Sequence, residues 1–343
     1  MRPSGIALPA PSPRRAGTLP DVVNRPFIFD TDGGVDDAQA LLLLIAHGVP
    51  PDVVTTVFGN VSLDQATDNM LATLAVVGAD IPVHRGADRP LVQPVIDARH
   101  VHGEDGLGGA PRPPVTQKPA SSDAVGLLIR TFRDAAARGT RADILLIGPL
   151  TNLGLALRRD PAIVAGIGRV TLMGATVYGR GNTTPAAEFN IYADPEAAQI
   201  VFSTPLDIVI VPWEPCVSHA MAGAAVDAAF ARQPANLTRA FSAALARHLR
   251  NGVERWTGRD ELRIVDPFAA AVIVDPGIIR KTLTASVQVS LSPGITRGMT
   301  VVDPSGRLGT PKFTLVEEAD AERLHDLYVT SAAYQPQRTL ATT

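Results

Sequence analysis

The stretch that most constrains this chain is residues 27–38, FIFDTDGGVDDA. A short apolar run is followed within eight residues by four aspartates, and two glycines lie between the two pairs: Asp30, Asp32, Asp36 and Asp37. A second apolar run follows directly and ends before Gly48. This pattern predicts a buried strand, a tight acidic turn and a buried helix. Asp36 or Asp37 would lie at the start of that helix, where a carboxylate accepts free backbone N–H groups.

A helix cap accounts for one of these aspartates but not for four. Carboxylates held together at the end of a strand repel one another unless a cation or a proton relieves the repulsion. Hard oxygen ligands on a glycine turn point to Ca²⁺ or Mg²⁺. A solvated acidic loop with a single capping aspartate is the alternative. We favour a binding site, because open α/β sheets bind ligands at this position.

Strand and helix patterns alternate after the acidic turn. Apolar runs at 52–58 and 81–84 flank a segment, 62–77, with helical apolar spacing, and further strands are predicted at 142–147, 169–172 and 207–211. This order predicts an α/β fold with an open, mostly parallel central sheet flanked by helices and right-handed crossovers. We expect one domain over residues 25–343. Residues 1–24, rich in proline, arginine and small residues, are predicted to be a disordered or loosely packed arm.

The composition excludes several classes of protein. The net charge is −3 and no lysine or arginine stripe is present, so we expect no nucleic-acid partner. No apolar run is long enough to span a membrane, and the first residues lack the apolar core of a secretory signal. The single cysteine, Cys216, excludes an internal disulfide and fits a reducing compartment, so we expect a cytoplasmic protein.

Polar residues recur where successive strands are predicted to end. Asn60, Thr151 and the irregular segment 175–190 follow three different strands. In a parallel sheet these ends share one edge, where a hard cation and several amides would suit a polyhydroxylated ligand such as a sugar. An aspartate bound to the same cation would be placed to take a proton from water. His102, in the long irregular segment 86–121, is a binding candidate, although an exposed loop histidine fits the sequence as well.

These residues together resemble the inosine/uridine-preferring nucleoside hydrolases, which are calcium-dependent nucleoside N-ribohydrolases. The resemblance runs from about Arg25 to the C-terminal helix, and the acidic turn resembles the DTDxGxDD signature of that family. Four supporting motifs follow in the family's order: GNVS from Gly59, HGEDGLGG from His102, GPLTN from Gly148 and TPAAEFNIYADPEAA from Thr184.

The resemblance implies the nucleoside hydrolase fold, with its Rossmann-like core, and a role for each matching residue. Asp32 would bind Ca²⁺ and act as the general base, and His102 would lie near the base or sugar as a second catalytic candidate. The Ca²⁺ ligands would be Asp32, Asp37, the backbone carbonyl of Thr151, and Asp266. The substrate would be held by Asp36, Asn60, Asn182, Glu188 and Asn190. The resemblance also implies a nucleoside substrate, release of free base and ribose, and a homodimer or homotetramer.

The chain departs from the family pattern at one important position. Many members carry a histidine immediately before the last calcium aspartate, and it is taken to protonate the leaving base. Val265 stands there in this chain and has no proton to donate. Trp256 is a candidate to stack on a purine, and His102 is a candidate proton donor. Two alternatives stay open: a nucleoside-binding or sensing protein with weak or no turnover, and a hydrolase of a modified nucleoside.

Overall fold

The structure is a computed structural model that describes residues 25–335. The arm predicted for residues 1–24 lies outside these described residues. The strands among these residues are β1 (Phe27–Thr31), β2 (Val53–Thr56), β3 (Val83–Arg85), β4 (Ala142–Leu146), β5 (Ile167–Met173), β6 (Asp207–Val211), β7 (Met221–Ala222), β8 (Glu261–Leu262), β9 (Ile279–Val289), β10 (Thr300–Asp303) and β11 (Lys312–Ala319). Nine of them form one sheet in the order β10-β9-β11-β6-β5-β4-β1-β2-β3. Strands β7 and β8 form a separate antiparallel pair.

The sheet is mostly parallel, as the alternating pattern predicts. Strands β1 to β6 and β11 pair in parallel, whereas β9 is antiparallel to both of its neighbours. Strand β1 lies between β2 and β4. The chain therefore builds outward to one side through β2 and β3 and to the other through β4, β5 and β6. This reversal creates a crevice at the carboxyl ends of β1 and β4, where doubly wound folds bind ligands.

Helices cover both faces of the sheet. They are α1 (Val35–Ala46), α2 (Leu63–Val77), α3 (Arg99–His102), α4 (Ala124–Ala137), α5 (Thr151–Arg159), α6 (Phe189–Ala193), α7 (Pro195–Phe202), α8 (Trp213–Ser218), α9 (Gly223–Ala231), α10 (Leu237–Thr257), α11 (Asp266–Val274) and α12 (Ala321–Ser331), with 3₁₀ turns at Pro161–Gly166 and Pro276–Ile278. No helix among residues 25–335 is both long and apolar enough to cross a membrane.

Alternation along β1 divides the core into two clusters. Phe29 points to a face that packs against α1 and α11, among other helices, while Ile28 points to the face covered by α4, α5 and α7. Both residues of β1 are fully buried, so apolar side chains are needed on both faces of this central strand. The buried helix α1 begins directly after the acidic turn and packs against α11.

Two segments differ from the sequence expectations. The segment 86–121, predicted to be irregular, contains the short helix α3, which carries His100 and His102. A second short helix, α8, begins at Trp213 directly after β6, where no helix was predicted. Helix α1 starts at Val35, so Asp36 and Asp37 lie in its first turn as predicted.

Candidate active site

The turn after β1 requires glycine at two consecutive positions. Gly33 has a φ of +71°, and a Cβ there would lie 2.4 Å from the Cα atom of Ala66. A Cβ on Gly34 would lie 2.5 Å from Nδ2 of Asn60 and 2.6 Å from Nδ1 of His102. The absence of these side chains lets the turn approach both Asn60 and His102.

The turn is closed by the carboxylate of Asp37. Its Oδ2 accepts hydrogen bonds from the backbone N–H of Gly34 (2.8 Å) and from Nδ2 of Asn60 (3.0 Å). Its Oδ1 accepts from the backbone N–H of Asp32 and of Gly33, each at 3.2 Å. The position of the Asp37 carboxylate is therefore fixed by hydrogen bonds from the turn and from Asn60.

Three buried aspartates form a cluster that fits a metal ion. One carboxylate oxygen each of Asp36, Asp37 and Asp266 lies within 4.8 Å of the other two. The first turns of α1 and α11 bring them together. This set contains Asp36 in the place where the sequence resemblance implies Asp32. Asp32 adjoins the cluster, and the negative charge of Asp37 acts directly on its carboxylate.

Burial strongly disfavours the charged forms of these aspartates. It raises the pKa of Asp32 and of Asp266 well above the usual range, and the charges of neighbouring aspartates raise both further. Burial and the charge of Asp37 raise the pKa of Asp36 to about 7. Oδ1 of Asp36 is also buried without a hydrogen-bond partner among residues 25–335. Buried carboxylates that repel one another in this way fit a hard divalent cation, which would relieve the repulsion.

Thr151, predicted to bind the metal through its carbonyl, lies in α5 and not in the turns that carry the aspartates. It is the first residue of α5, and its hydroxyl donates to Oδ2 of Asp194 (2.7 Å). The carbonyl of a first helical residue points into the helix, toward the N–H group four residues later. Ile147, four residues earlier at the end of β4, lines the cavity instead. Its position directly after a strand and before Gly148-Pro149 was the sequence signal that could have identified it.

A cavity of about 350 Å³ lies above the cluster. All the side chains predicted to bind substrate line it: Asp36, Asn60, Asn182, Glu188, Asn190 and Trp256. His102 and Asp266 line it as well. Sequence segments more than two hundred residues apart therefore meet at the sheet edge that the motif positions predict.

One side of the cavity is organised by Glu188, the N-cap residue of α6. Its carboxylate accepts hydrogen bonds from the backbone N–H of Asn190 (2.8 Å), Ile191 (3.2 Å) and Ala175 (3.0 Å). Burial raises the pKa of Glu188 to about 7 despite these bonds. Nδ2 of Asn190 donates to the carbonyl of Ile147 (3.2 Å), which ties this loop to the end of β4.

His102 is held as a neutral imidazole. Its Nδ1 accepts a hydrogen bond from the backbone N–H of Val35 at 3.1 Å, so the ring proton resides on Nε2. Burial lowers the pKa of His102 to about 4, although the charge of Asp37 acts in the opposite direction. A neutral imidazole can donate a hydrogen bond at neutral pH but is a poor source of a proton for the leaving base.

Three large aromatic side chains also line the cavity: Phe189, Trp213 and Trp256. Trp256, at the end of α10, keeps 66% of its surface exposed and stacks on His100 with ring centres 5.9 Å apart. Val265 lines the cavity as well. Trp213 and Arg263 were not predicted as site residues, and the Arg263 guanidinium lies 5.6 Å from the centre of the Trp213 ring.

Three hydrogen bonds join the start of α8 to the segment that follows β5. The backbone N–H of Trp213 donates to the carbonyl of Ala175 (3.1 Å), and Oε1 of Glu214 accepts from the backbone N–H of Val177 and of Tyr178, each at 2.8 Å. Ala175 has a φ of +72°, the only positive φ of a non-glycine residue among residues 25–335. Such a strained alanine persists only where its surroundings hold it firmly.

The fold, the buried acidic cluster and the cavity define a nucleoside hydrolase. A sequence profile of the inosine-uridine preferring nucleoside hydrolase family matches residues 27–326, and the chain belongs to this family. The chain is 39% identical over 294 residues to the non-specific ribonucleoside hydrolase RihC of Klebsiella pneumoniae (strain 342), covering 85% of this chain and 92% of the relative. It is 38% identical over 283 residues to the uncharacterized protein C1683.06c of Schizosaccharomyces pombe, covering 80% and 88% respectively.

Solved structures agree with this assignment. The plant nucleoside hydrolase PpNRh1 superposes with a TM-score of 0.80 at 29% identity, covering 90% of this chain and 98% of that one. An inosine-guanosine nucleoside hydrolase superposes with the same TM-score at 28% identity, covering 91% and 99%. The predicted fold class and the predicted enzyme class are thereby confirmed.

Proposed function

We propose that this enzyme hydrolyses the N-glycosidic bond of ribonucleosides to free nucleobase and ribose, with Asp32 as the general base. The observation that carries the proposal is the burial of four neighbouring aspartates, Asp32, Asp36, Asp37 and Asp266, two of which, Asp36 and Asp266, line the cavity. The name of the RihC relative, a non-specific ribonucleoside hydrolase, supports a substrate range that includes more than one base.

We propose that Ca²⁺ is held by Asp37 and Asp266 of the acidic cluster together with the adjoining Asp32. The carbonyl of Ile147, on the cavity wall, is a better placed backbone donor than that of Thr151. When bound, Ca²⁺ supplies charge that orients a water and two vicinal ribose hydroxyls and favours loss of a proton from that water. The aspartates supply the matching negative charge and the fixed geometry.

The side chains around the cluster would perform the remaining steps. Asn60 holds both carboxylate oxygens of Asp32, and Asp32 accepts the proton of the attacking water. Asp36, whose Oδ1 lacks a partner among residues 25–335, would accept a hydrogen bond from a ribose hydroxyl. Asn182, Glu188 and Asn190 would hold the other side of the sugar while it passes through an oxocarbenium-like state.

His102 and Trp256 would contact the substrate without protonating it. Neutral His102 would donate a hydrogen bond from Nε2, and the exposed face of Trp256 would stack on the base. The leaving base must then depart without a proton from Val265.

The test is a rate assay with p-nitrophenyl riboside, inosine and uridine, each with and without a calcium chelator. Nitrophenolate leaves without protonation, so its release reports the sugar-cleaving machinery alone. We expect release that is lost on chelation and restored by Ca²⁺. No release from any of the three substrates at any calcium concentration would contradict the proposal.

Two features favour the alternative of a nucleoside-binding protein with little turnover: Val265 has no proton to donate, and burial lowers the pKa of His102. This alternative predicts tight binding of inosine, measured by calorimetry, without free hypoxanthine after hours of incubation. A hydrolase of a modified nucleoside would instead cleave p-nitrophenyl riboside well and inosine and uridine poorly. We retain the expectation of a cytoplasmic protein. We also retain the expectation of a homodimer or homotetramer, and sedimentation of the purified chain would test this oligomeric state.

A further inference from the structure

We propose that Arg263 is a catalytic residue that stabilises the negative charge of the departing base, in place of a proton donor. This inference rests on the proposed function. The guanidinium of Arg263 would give the cavity a positively charged group, which neither the acidic cluster nor the sugar-binding side chains supply.

The segment between β8 and α11 brings both Arg263 and Val265 to the lining of the cavity. Leu262 and Ile264 are buried in the core, with 0% and 1% exposure, while Arg263 and Val265 line the cavity. Arg263 therefore flanks the position at which the sequence resemblance calls for a proton-donating histidine.

Two neighbours fix the orientation of the guanidinium. Nε and Nη2 of Arg263 donate to Oε1 of Glu261, at 3.3 and 3.2 Å, and the group lies over the ring of Trp213. The side chains of Arg263 and Glu261 keep only 20% and 18% of their exposure. No acceptor among residues 25–335 forms a hydrogen bond with Nη1, which leaves that nitrogen able to donate to a ligand.

Arg263 is the only lysine or arginine among the described residues that line the cavity. An arginine retains its charge in folded proteins and offers only donors. It therefore stabilises a developing anion by charge and hydrogen bonding and does not transfer a proton. Fixed donors of this kind act most strongly where charge appears in the transition state.

The proposed step conserves atoms and charge. The water oxygen bonds to C1′ of the ribose while the C1′–N bond breaks and its electron pair moves to the base. The base leaves as an anion bound to the N–H groups of Arg263 and then takes a proton from solvent water. Asp32 takes the proton of the attacking water and releases it to solvent, so that the net products are base and ribose.

The test compares two leaving groups in each of three variants, Arg263→Met, Arg263→Gln and Arg263→Lys. We expect Arg263→Met and Arg263→Gln to lower kcat/KM for inosine about 100-fold. The same variants should change kcat/KM for p-nitrophenyl riboside by less than about threefold, because stable nitrophenolate needs no stabilisation. Arg263→Lys, which retains the charge but not the planar fork, should recover part of the inosine rate.

Arg259→Met is the matched control, because Arg259 is exposed four residues earlier in the chain and does not line the cavity. It should leave both rates unchanged. Equal losses on inosine and p-nitrophenyl riboside in the Arg263 variants, or no loss on inosine, would overturn the role of Arg263. The ratio of the two rates within one variant is independent of the fraction folded. Failure of the unmodified enzyme to cleave p-nitrophenyl riboside would count against the proposed function instead.

Discussion

Asn60 binds both carboxylate oxygens of Asp32. Its backbone N–H lies 2.8 Å from Oδ2, and its side-chain Nδ2 lies 2.9 Å from Oδ1. The same Nδ2 also lies 3.0 Å from Oδ2 of Asp37. A single residue in the loop between β2 and α2 thus holds the proposed general base and orients it relative to a proposed metal ligand.

Replacing Asp32 with asparagine should lower kcat by about a thousandfold or more, since the variant keeps the shape but cannot accept a proton. Steady-state assays with inosine and p-nitrophenyl riboside should show the loss for both substrates. Asp68→Asn, an exposed change on α2, serves as the control and should keep full activity. Near-normal turnover in the Asp32 variant would exclude it as the base.

Asn60→Asp should be more harmful than Asn60→Ala. Either change removes the side-chain amide that donates hydrogen bonds to Asp32 and Asp37. The aspartate also adds a further negative charge to a buried acidic site. We expect kcat/KM to fall about tenfold for Asn60→Ala, and further for Asn60→Asp, because an oriented hydrogen bond to a charged group contributes about 1.5–3 kcal/mol. The contrary result, in which Asn60→Asp is the more active variant, would show that Asn60 does not act through these carboxylates.

The stability of the calcium-free protein should fall as the pH rises. Burial raises the pKa of Asp36 and of Glu188 to about 7 in the folded protein, above the values in an unfolded chain. Folding is therefore favoured by these groups below their unfolded pKa values, and this contribution is lost as the pH rises through about 7. Thermal unfolding at pH 5 and pH 8 in the presence of chelator should give the lower Tm at pH 8.

Added Ca²⁺ should raise Tm more at pH 8 than at pH 5, because a cation binds the ionised carboxylates and competes with protons at low pH. Mg²⁺ at equal concentration provides the comparison ion. A Tm that is independent of calcium at both pH values would remove the acidic cluster as a metal site.

Glu214→Ala should raise KM more than it lowers kcat. Glu214 accepts hydrogen bonds from two backbone N–H groups in the segment that leads from Ala175 to Asn182. Its loss should make this segment, which carries the proposed sugar-binding Asn182, less well ordered, while Asp32 keeps its own contacts. We expect KM for inosine to rise about tenfold, in line with the loss of hydrogen bonds to a charged acceptor. Glu214→Gln retains one acceptor oxygen and should recover most of the affinity. A fall in kcat at unchanged KM would show that Glu214 acts on the chemical step.

The sequence alone predicted the order of strands and helices and the position of the acidic turn. Apolar spacing and glycine positions are local, so the strand-turn-helix unit around Asp32 follows from a short stretch of sequence. The shared edge of the sheet also follows, because parallel strands place their carboxyl ends together. The predicted substrate-binding residues accordingly line one cavity.

Only the tertiary structure showed which residue after β4 and which cationic side chain line that cavity. Thr151 and Ile147 both follow β4, but the start of α5 uses the carbonyl of Thr151 within the helix and leaves Ile147 on the cavity wall. The neutral state of His102 depends on its burial and on the N–H of Val35, a residue far away in sequence. The placement of Arg263 over Trp213 depends on packing between β8 and α8, which no local pattern encodes. Local sequence therefore specifies the elements, whereas charge state and orientation depend on neighbours that only folding brings together.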